Sequence, residues 1–508
     1  MSFLKKIKSP VELVPILDGL RAEGKKIVLC HGAYDLYHCG HLYQFEQARG
    51  QGDILVVSVT TDRFVLKGPG RPVFSQNIRA KVLAALELVD FVTFCDTQDS
   101  TELIKLIKPD VYVKGTVCKD LAKDPSSRFS LEKRAVEDLG GRVFYSHEIP
   151  IHATPLLSHY IDPYPEEVLA FLDGFKKKFP LGEMARSLEK LKSLRVMVIG
   201  ESIIDQYDFV QALGLSPKGG VVAMKYLNTE LFAGGILACA NHIANFCSNI
   251  NLITTIGSRN SHEEFIANSL ATNVRPLILT REGLSTIIKQ RQIDPVYFRK
   301  YSETYVFDEV PLTKDEEGRL VELLRQGEIN KMDLVLVNDY GHGLMTEKIV
   351  RFIAENAPFL SVSTQANSAN RGLNTIDKYP KADFVCLDHF EASLALRDQW
   401  DLIRERPEIL RAKLGAQVIA VTLGHRGSVV ANKDQKFEIP IFSKRVIDTV
   451  GAGDTFYSLV APCIRAGLPI ELCGFIGNAA AALATTYLGN KTFINQHMLL
   501  GFIETLIG

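Results

Sequence analysis

The feature that most constrains this chain is alternation. In the first 160 residues, short apolar runs at Ile27–Cys30, Ile54–Val59, Phe91–Phe94, Val111–Val113 and Val143–Tyr145 are separated by longer segments with helical spacing. In one of these, Ile78, Val82, Ala85, Leu86 and Val89 recur as one helical face, predicting a helix over Ile78–Val89 with that face inward. Ser100 is placed to cap the next helix, whose Leu103, Ile104 and Ile107 point inward. Strands separated by helices pair in parallel, under helices on both faces. The pattern breaks at Asp162–Leu191, where Pro163 and Pro165 precede the charged stretches Lys176–Lys178 and Glu189–Lys192. It resumes at Val196–Ile199 and runs through Leu334–Val337, Phe359–Val362, Phe384–Leu387 and Val418–Thr422. A β-rich stretch (Val221–Lys225, Ser285–Ile293) interrupts it early, and the Ala-rich Gly474–Leu488 reads as a tightly packed helix. The expectation is an α/β protein with a parallel-sheet domain over 1–162 and a second domain over 194–508. Residues 163–193 read as a connection with some helix, or as the last helix of the first domain.

At 508 residues the chain is too long for one ordinary domain. With 46% apolar and 23% charged residues, each half can bury a core. A formal net charge of −1 gives no general attraction to nucleic acid or a membrane surface, although local basic residues can still bind phosphates. The 9 cysteines show no Cys-x-x-Cys pair and no metal-ligand spacing, as expected of reduced, mostly buried thiols. The basic start, MSFLKKIKSP, lacks the apolar run of a signal peptide. No stretch reaches the ~18 consecutive apolar residues of a membrane span. These features predict a cytoplasmic protein with neither a nucleic-acid nor a membrane partner.

The strongest local signal in the first half is KIVLCHGAYDLYHCGHLYQFEQAR. A strand runs into a glycine-containing turn, and His38, Gly40 and His41 open a helix. N–H groups at a helix start favour anions, and two histidines there can hydrogen-bond a triphosphate and the charge that builds on an attacked α-phosphorus. Gly40 keeps the backbone clear of the phosphates. Positioning and electrostatics carry such a transfer without a covalent intermediate. His-x-x-His can also begin a metal site, but no third or fourth ligand lies nearby in the sequence, so no metal is assigned.

GAYDLYHCGH resembles the His-x-Gly-His signature of the cytidylyltransferase-like nucleotidylyltransferases. The likeness continues through Thr61–Asp62, Leu66–Val73, Arg79 and Lys108–Gly115, and is strongest to the transferase half of ADP-heptose synthesis enzymes. It implies a Rossmann-like fold and a nucleotide site lined by Gly32, Tyr34, Asp35 and Gly40, with His38 and His41 catalytic. It also implies phosphate contacts from Lys67, Arg79 and Thr154; without the resemblance, Lys67 and Arg79 read as solvated surface charges. Two stretches depart from the pattern. Gly115-Thr116-Val117-Cys118 stands where relatives carry Gly-Gly-Asp-Tyr. His152-Ala153-Thr154 stands where they carry a Ser-Thr-Thr-like motif that helps to hold the nucleotide phosphates; His152 either takes over part of that role or is a solvated loop histidine, and both readings stay open.

DTVGAGDTF (Asp448–Phe456) is the most specific string in the chain. Gly451, Ala452 and Gly453 are small enough for a tight turn with N–H groups aimed inward, and the following helix adds its positive end. Asp454 at that helix start can take the proton from an attacking hydroxyl. The string resembles the signature of the ribokinase and phosphofructokinase-B sugar kinases, a likeness that extends over about residues 195–490. By it, Val198–Tyr207 is the first strand, with Asp205 a sugar-hydroxyl ligand. Ala233–Asn241 places Gly234, Gly235 and Asn241 near the sugar, and Asn338–Gly343 is a loop facing the phosphates. Val421–Gly427 supplies Thr422, Gly424 and Gly427 to the nucleotide, and Asn478 lies near the adenine. Asp388 and Glu391 stand where relatives have Asn-x-x-Glu, a motif tied to the metal-bound nucleotide. Ser363–Gly372 (STQANSANRG) replaces an Asp-Pro-Lys stretch of heptose kinases.

The resemblances imply a ribokinase-like domain with a small β-rich lid, placed after the transferase, the reverse of the familiar fused order. They imply an ATP-dependent kinase for a sugar or sugar phosphate, heptose 7-phosphate-like, acting at the anomeric hydroxyl. They also imply a transferase that makes an ADP-heptose-like product from a sugar 1-phosphate. Mg²⁺ would arrive with the nucleotide, the substrates would be small molecules, and the chain would be a homodimer. Two other expectations stay open: a CTP-dependent transferase fused to a kinase for another sugar or polyol, and a scaffold or regulator in which one domain no longer turns over.

Overall fold

The computed structural model describes residues 2–65, 71–115, 128–146, 164–397, 407–444 and 446–507. The chain divides into two units, one built on Met1–Pro165 and one on Glu166–Ile503.

In the first unit, β1 (Ile27–Gly32), β2 (Ile54–Thr60), β3 (Phe91–Cys95), β4 (Val111–Gly115) and β5 (Arg142–Ser146) form one parallel sheet in the order β3-β2-β1-β4-β5. Each of the five apolar runs is a strand. Val28 and Cys30 face a core with Phe45, Ala80 and Leu83, while Ile27 and Leu29 face another with Leu13, Leu17 and Ile104. Burial on both faces is why these strands read as continuous apolar runs. Sequence order reverses between β1 and β4, so a crevice opens at their carboxyl ends, the position where open parallel sheets bind ligands.

Two local expectations change. The third helix spans Gln76–Ala84 and buries Arg79, Ala80, Leu83 and Ala84, while Ile78 and Val82 are 49% and 44% exposed. The inward face is rotated because Arg79 takes the central buried place, donating to three backbone carbonyls. Ser100 does precede the helix Thr101–Ile107, and Leu103, Ile104 and Ile107 are buried, but its side chain does not cap. Its Oγ instead bonds the Tyr112 hydroxyl and Glu132 Oε1, both at 2.8 Å, because the buried Glu132 carboxylate requires donors.

The second unit begins with the helices Glu166–Lys178 and Leu181–Glu189; Phe175 stacks on Phe475 at 4.0 Å. Its main sheet holds β6 (Arg195–Gly200), β9 (Asn249–Arg259), β10 (Val274–Ser285), β13 (Leu334–Asp339), β14 (Leu360–Thr364), β15 (Phe384–Asp388), β16 (Val418–Thr422), β17 (Ser428–Ala431) and β18 (Lys436–Ile439). The order is β10-β9-β6-β13-β14-β15-β16-β17-β18, parallel from β10 to β16 and antiparallel beyond. A separate four-stranded sheet, the lid, has the order β12-β11-β7-β8 and comprises β7 (Ser202–Leu215), β8 (Val222–Gly235), β11 (Ile287–Ile293) and β12 (Lys300–Val306). The expected first strand Val198–Tyr207 is therefore divided: β6 ends at Gly200 and Asp205 lies on β7. Gly200 allows the crossing, since a Cβ there would lie 2.4 Å from the Asn338 carbonyl oxygen. The Ala-rich segment forms the buried helix Ile470–Ala484, packed beside the helix Ala452–Arg465.

Candidate active sites

In the first unit the chain leaves β1 through Tyr34, at φ 49, and Asp35 to reach His38. Gly32 leaves room for this turn, since a Cβ there would lie 3.1 Å from the Tyr34 ring and press on it. His38 caps the helix Cys39–Arg49: the Gly40 N–H donates to its Nδ1 at 3.1 Å. The His38 and His41 rings stack 4.0 Å apart, with Tyr34 edge-on to His41 at 5.1 Å and Tyr37 stacked on it at 5.9 Å. Two imidazoles are thus held by aromatic neighbours at a helix N-terminus beside the β1/β4 crevice. The positive end of a helix favours an anion at such a position.

Asp35 and Arg79 support this turn from within. Asp35 accepts from Arg71 Nε at 2.5 Å and from the Val73 N–H at 2.6 Å. Arg79, 2% exposed, donates to the carbonyls of Ala33, Thr60 and Phe74 and pairs with Asp62 at 2.6 Å. Both charges are taken up by the protein, and Arg79 is not a solvated surface residue. Beyond the histidines, His31 bonds Ser58 Oγ at 2.9 Å, and burial pushes its pKa down to about 4. Burial would raise Glu132, but Lys114 at 3.1 Å, His31 and Ser100 together bring it down to about 2. Lys67, Thr116-Val117-Cys118 and His152-Ala153-Thr154 lie outside the described residues.

In the second unit Gly451, at φ 81, turns the chain into the helix Ala452–Arg465, and a Cβ on it would lie 2.3 Å from Asn490 Oδ1. Gly453 has open space around it. The N–H groups of a first helical turn lack intrahelical partners, and beside the small Ala452 and Gly453 such a turn is of the kind that can accept an anion. Asp454 sits in this turn, 9% exposed, and its Oδ1 accepts from Asn338 Nδ2 at the end of β13 and from Gln365 Nε2 after β14, both at 2.8 Å. Burial raises its pKa to about 6, against the pull of the Asn338 bond and of Lys289.

Asp205 accepts from Arg291 Nη1 at 2.5 Å and from Asn490 Nδ2 at 3.2 Å, so Asn490 joins Gly451 to Asp205. Gly234 faces it across the β7–β8 pairing, where a Cβ would lie 2.3 Å from Asp205 Oδ2. Gly235, at φ 54, turns the chain into the helix Ile236–Ala244. The Asn241 amide is taken up by the Ser269 carbonyl (2.9 Å) and the Ala271 N–H (2.8 Å). Asp448, the first residue of the motif, accepts from Lys300 Nζ on β12 at 2.6 Å, the Tyr207 hydroxyl on β7 at 2.8 Å, and the N–H groups of Gly489 (3.0 Å) and Val450 (3.1 Å). One carboxylate therefore ties the lid to the loop that leads into the helix Ala452–Arg465.

Asp388 and Glu391 form a reciprocal cap on the helix His389–Leu396: the Glu391 N–H donates to Asp388 Oδ1 at 2.7 Å and the Asp388 N–H to Glu391 Oε2 at 2.8 Å. Glu391 Oε1 accepts from the Ala366 N–H at 3.0 Å. Burial, and then the neighbouring Asp388, raises Glu391 to about 8. Thr422 pairs with Asp388 across β15 and β16, and Gly424 and Gly427 turn the chain at φ 59 and φ 91. The Asn478 amide donates to the carbonyls of Ile439 and Pro440, both at 3.0 Å. The Asp388–Glu391 pair presents hard oxygen donors of the kind Mg²⁺ takes through its water shell. Among the described residues no group of three or more metal-ligating side chains forms a cage.

Gln365, Asn490, Arg291 and Lys289 carry no motif and escape sequence reasoning. For Gln365 the one signal was the departure of STQANSANRG from the Asp-Pro-Lys pattern.

Residues 29–154 match the cytidylyltransferase-like family model, and residues 193–496 match that of the pfkB family carbohydrate kinases. A bifunctional protein HldE of Desulfatibacillum aliphaticivorans is 41% identical over 145 residues, 28% of each chain. One of Campylobacter jejuni is 45% identical over 122 residues, 24% of this chain and 26% of that one. The chain thus spans about a quarter of the length of the curated relatives it matches. The second unit also resembles the ribokinase of Thermotoga maritima, at 20% identity and a TM-score of 0.48, over 61% of this chain and 99% of that one. Among the described residues no helix is long and apolar enough to cross a membrane. With a buried acid at the head of a glycine-led helix, a glycine-backed aspartate beside it, and a family match over more than half its length, the chain belongs to the pfkB family of carbohydrate kinases and carries a cytidylyltransferase-like domain ahead of the kinase.

Proposed function

We propose that the chain is a bifunctional sugar-nucleotide enzyme: an ATP-dependent kinase for a sugar or sugar phosphate of the heptose 7-phosphate type, and a nucleotidylyltransferase that makes an ADP-heptose-like product. The observation that carries this reading is the Asp454 arrangement, a buried carboxylate held by Asn338 and Gln365 at the opening of the helix Ala452–Arg465. Asp454 takes the proton of the acceptor hydroxyl, Asp205 orients the sugar, and the N–H groups after Gly451 receive the charge on the transferring phosphoryl group. Mg²⁺ bound with the nucleotide neutralises phosphate charge, and Asp388 and Glu391 are the residues that would hold its water shell. In the first unit His38 and His41 bind and polarise the α-phosphate region, and no covalent intermediate is needed.

The names of the HldE relatives support the pairing of two activities. A substrate set of ATP and sugar phosphates fits a cytoplasmic enzyme. The test is phosphorus NMR of the full chain with ATP or CTP, Mg²⁺ and a panel of sugars, sugar phosphates and sugar 1-phosphates. Phosphorylation of a sugar phosphate together with pyrophosphate release from ATP bears the reading out. Pyrophosphate release from CTP alone replaces the ADP-sugar half, and turnover with no acceptor in the panel overturns the kinase half.

A further inference from the structure

The helix Ile236–Ala244 carries His242 near its far end, buried among apolar neighbours. The two ring nitrogens of His242 serve different parts of the unit. The Ile494 N–H, in the segment between the helices Ile470–Ala484 and Gln496–Ile507, donates to Nδ1 at 3.2 Å. Nε2 lies 3.0 Å from Oγ1 of Thr455, the residue after Asp454. Thr455 bonds the Gly451 carbonyl twice, through its N–H and through its hydroxyl, both at 2.8 Å.

These contacts admit one arrangement of protons. A backbone N–H can only donate, so His242 Nδ1 carries no proton and the neutral ring carries its proton on Nε2. Nε2–H therefore donates to Thr455 Oγ1, and the hydroxyl proton goes to the Gly451 carbonyl. Burial keeps the ring neutral, bringing His242 down to about 3. The far end is gripped as well: Asn245 Nδ2 donates to the Ile494 carbonyl at 3.1 Å, and the Phe493 ring packs edge-on to His242 at 5.4 Å. The imidazole cannot turn over without leaving the buried Ile494 N–H unpaired. A threonine hydroxyl bonded to the carbonyl four residues back is a common local habit and by itself fixes little. Here that hydroxyl is held in turn by a donor whose tautomer the main chain sets, and hydrogen bonds in series strengthen one another. The carbonyl at the end of the series belongs to Gly451, whose turn at φ 81 opens the helix that carries Asp454.

We infer that His242 is a positioning residue for phosphoryl transfer: through Thr455 it fixes the Gly451 peptide, and with it the opening turn of the helix that carries Asp454. The inference rests on the kinase reading for the reaction that this turn serves. At 0% and 1% exposure, Thr455 and His242 present nothing to sugar or nucleotide, so their removal should cost rate more than binding.

Two substitutions divide the imidazole's two bonds. His242→Asn keeps an acceptor for the Ile494 N–H and loses the reach to Thr455, whereas His242→Gln can put an amide N–H where Nε2–H stands. The first arm of the test needs no substrate. In the full-length protein labelled with heavy nitrogen at histidine and glycine, NMR should find the His242 proton on Nε2, the signal being assigned by its loss in His242→Asn. The Gly453 amide, assigned through Gly453→Ala, should shift in His242→Asn and return toward its wild-type position in His242→Gln. The second arm measures phosphoryl transfer from ATP to the acceptor that the phosphorus NMR panel identifies. His242→Asn should lower kcat about ten- to a hundredfold with both KM values within about twofold, and His242→Gln should recover most of the loss. Thr455→Val should lower kcat to a similar degree, and adding His242→Asn to it should cost little more, because the two act through one link. A proton on Nδ1, a Gly453 amide unmoved in His242→Asn, or losses that multiply in the double variant would overturn the inference. A lower melting temperature with kcat of the folded enzyme unchanged would do so too, since it would leave His242 a purely structural part. If the wild type turns over no acceptor, the kinase reading falls, and the NMR arm still decides whether His242 holds the turn.

Discussion

On the proposed kinase reading Asp454 would act as a base only when ionised, and burial raises its pKa to about 6. Below that value the carboxyl is protonated and transfer should fall; above it the rate should level off. Gln365→Leu removes a charge-assisted donor worth ~1.5–3 kcal/mol, which destabilises the anion. The acid limb of the kcat profile should then move up by about one pH unit or more, while ATP affinity is unchanged. A limb that stays in place would show that Gln365 positions the loop and not the charge. Asp454 and Gly451 were legible because they fall within one short string whose chemistry depends on adjacency. Gln365 and Asn490 were not, because they come from loops far apart in sequence and meet only in the fold. Asp35 and Arg79 were legible as important positions, but sequence could not show that their charges are met by Arg71, Asp62 and backbone.

At the scale of elements, the parallel strands were plain because burial on both faces leaves a continuous apolar signature. The lid was only partly visible. β7 and β8 are long strands with exposed outer halves, and alternation there mixes with charged residues. The split of the first strand at Gly200 and the rotated face of Gln76–Ala84 depend on single close contacts that periodicity does not register.

Two element-scale predictions follow from contacts of this kind. Gly234→Ala places a methyl group 2.3 Å from the Asp205 carboxylate, which must move. Sugar KM should rise roughly tenfold or more, as expected for loss of ~1.4 kcal/mol of binding, with nucleotide binding by calorimetry unaltered. At the helix His389–Leu396, Asp388→Asn keeps a good cap and removes the charge that helps to raise Glu391. Asp388→Ala loses the cap as well, at ~1 kcal/mol. Thermal melts should place Asp388→Asn near wild type and Asp388→Ala about 2 °C lower. Equal melting of the two variants would show that the reciprocal cap contributes nothing.

For the whole molecule, the two sites lie in different units and use different loops. Asp454→Asn should lower sugar phosphorylation ~10²–10⁴-fold and spare nucleotidylyl transfer, and His41→Ala should do the reverse. Loss of both reactions from either change, in folded protein, would refute separate sites. Acid–base balance separates the units too. In the second, burial raises Asp454 to about 6, Glu201 to about 7 and Glu391 to about 8, so the folded form holds protons that the unfolded chain releases. The stability tied to them is complete at low pH and is lost as pH rises through those values. His242 and His342, lowered by burial to about 3 and about 4, act oppositely, but only below the ordinary histidine value near 6.5. In the first unit His31, down to about 4, and Glu132, down to about 2, are both silent above that value, and the thiols of Cys30 and Cys95, raised by burial, come into play only as pH nears the ordinary thiol value of ~8.5. From about pH 6.5 to 7.5, scanning calorimetry should show the second unit's transition falling while the first unit's holds. Parallel movement of both would contradict these assignments.

The Asp448 carboxylate joins parts of the chain that would otherwise have separate clocks. Val450 and Gly489 hand their amide protons to the same group that Lys300 and Tyr207 hold from the lid. Those two amides can exchange with deuterium only when that group lets go. Their exchange rate is therefore a stopwatch on the lid, readable without substrate, without a label on the lid, and at a loop some 240 residues away in sequence from Tyr207.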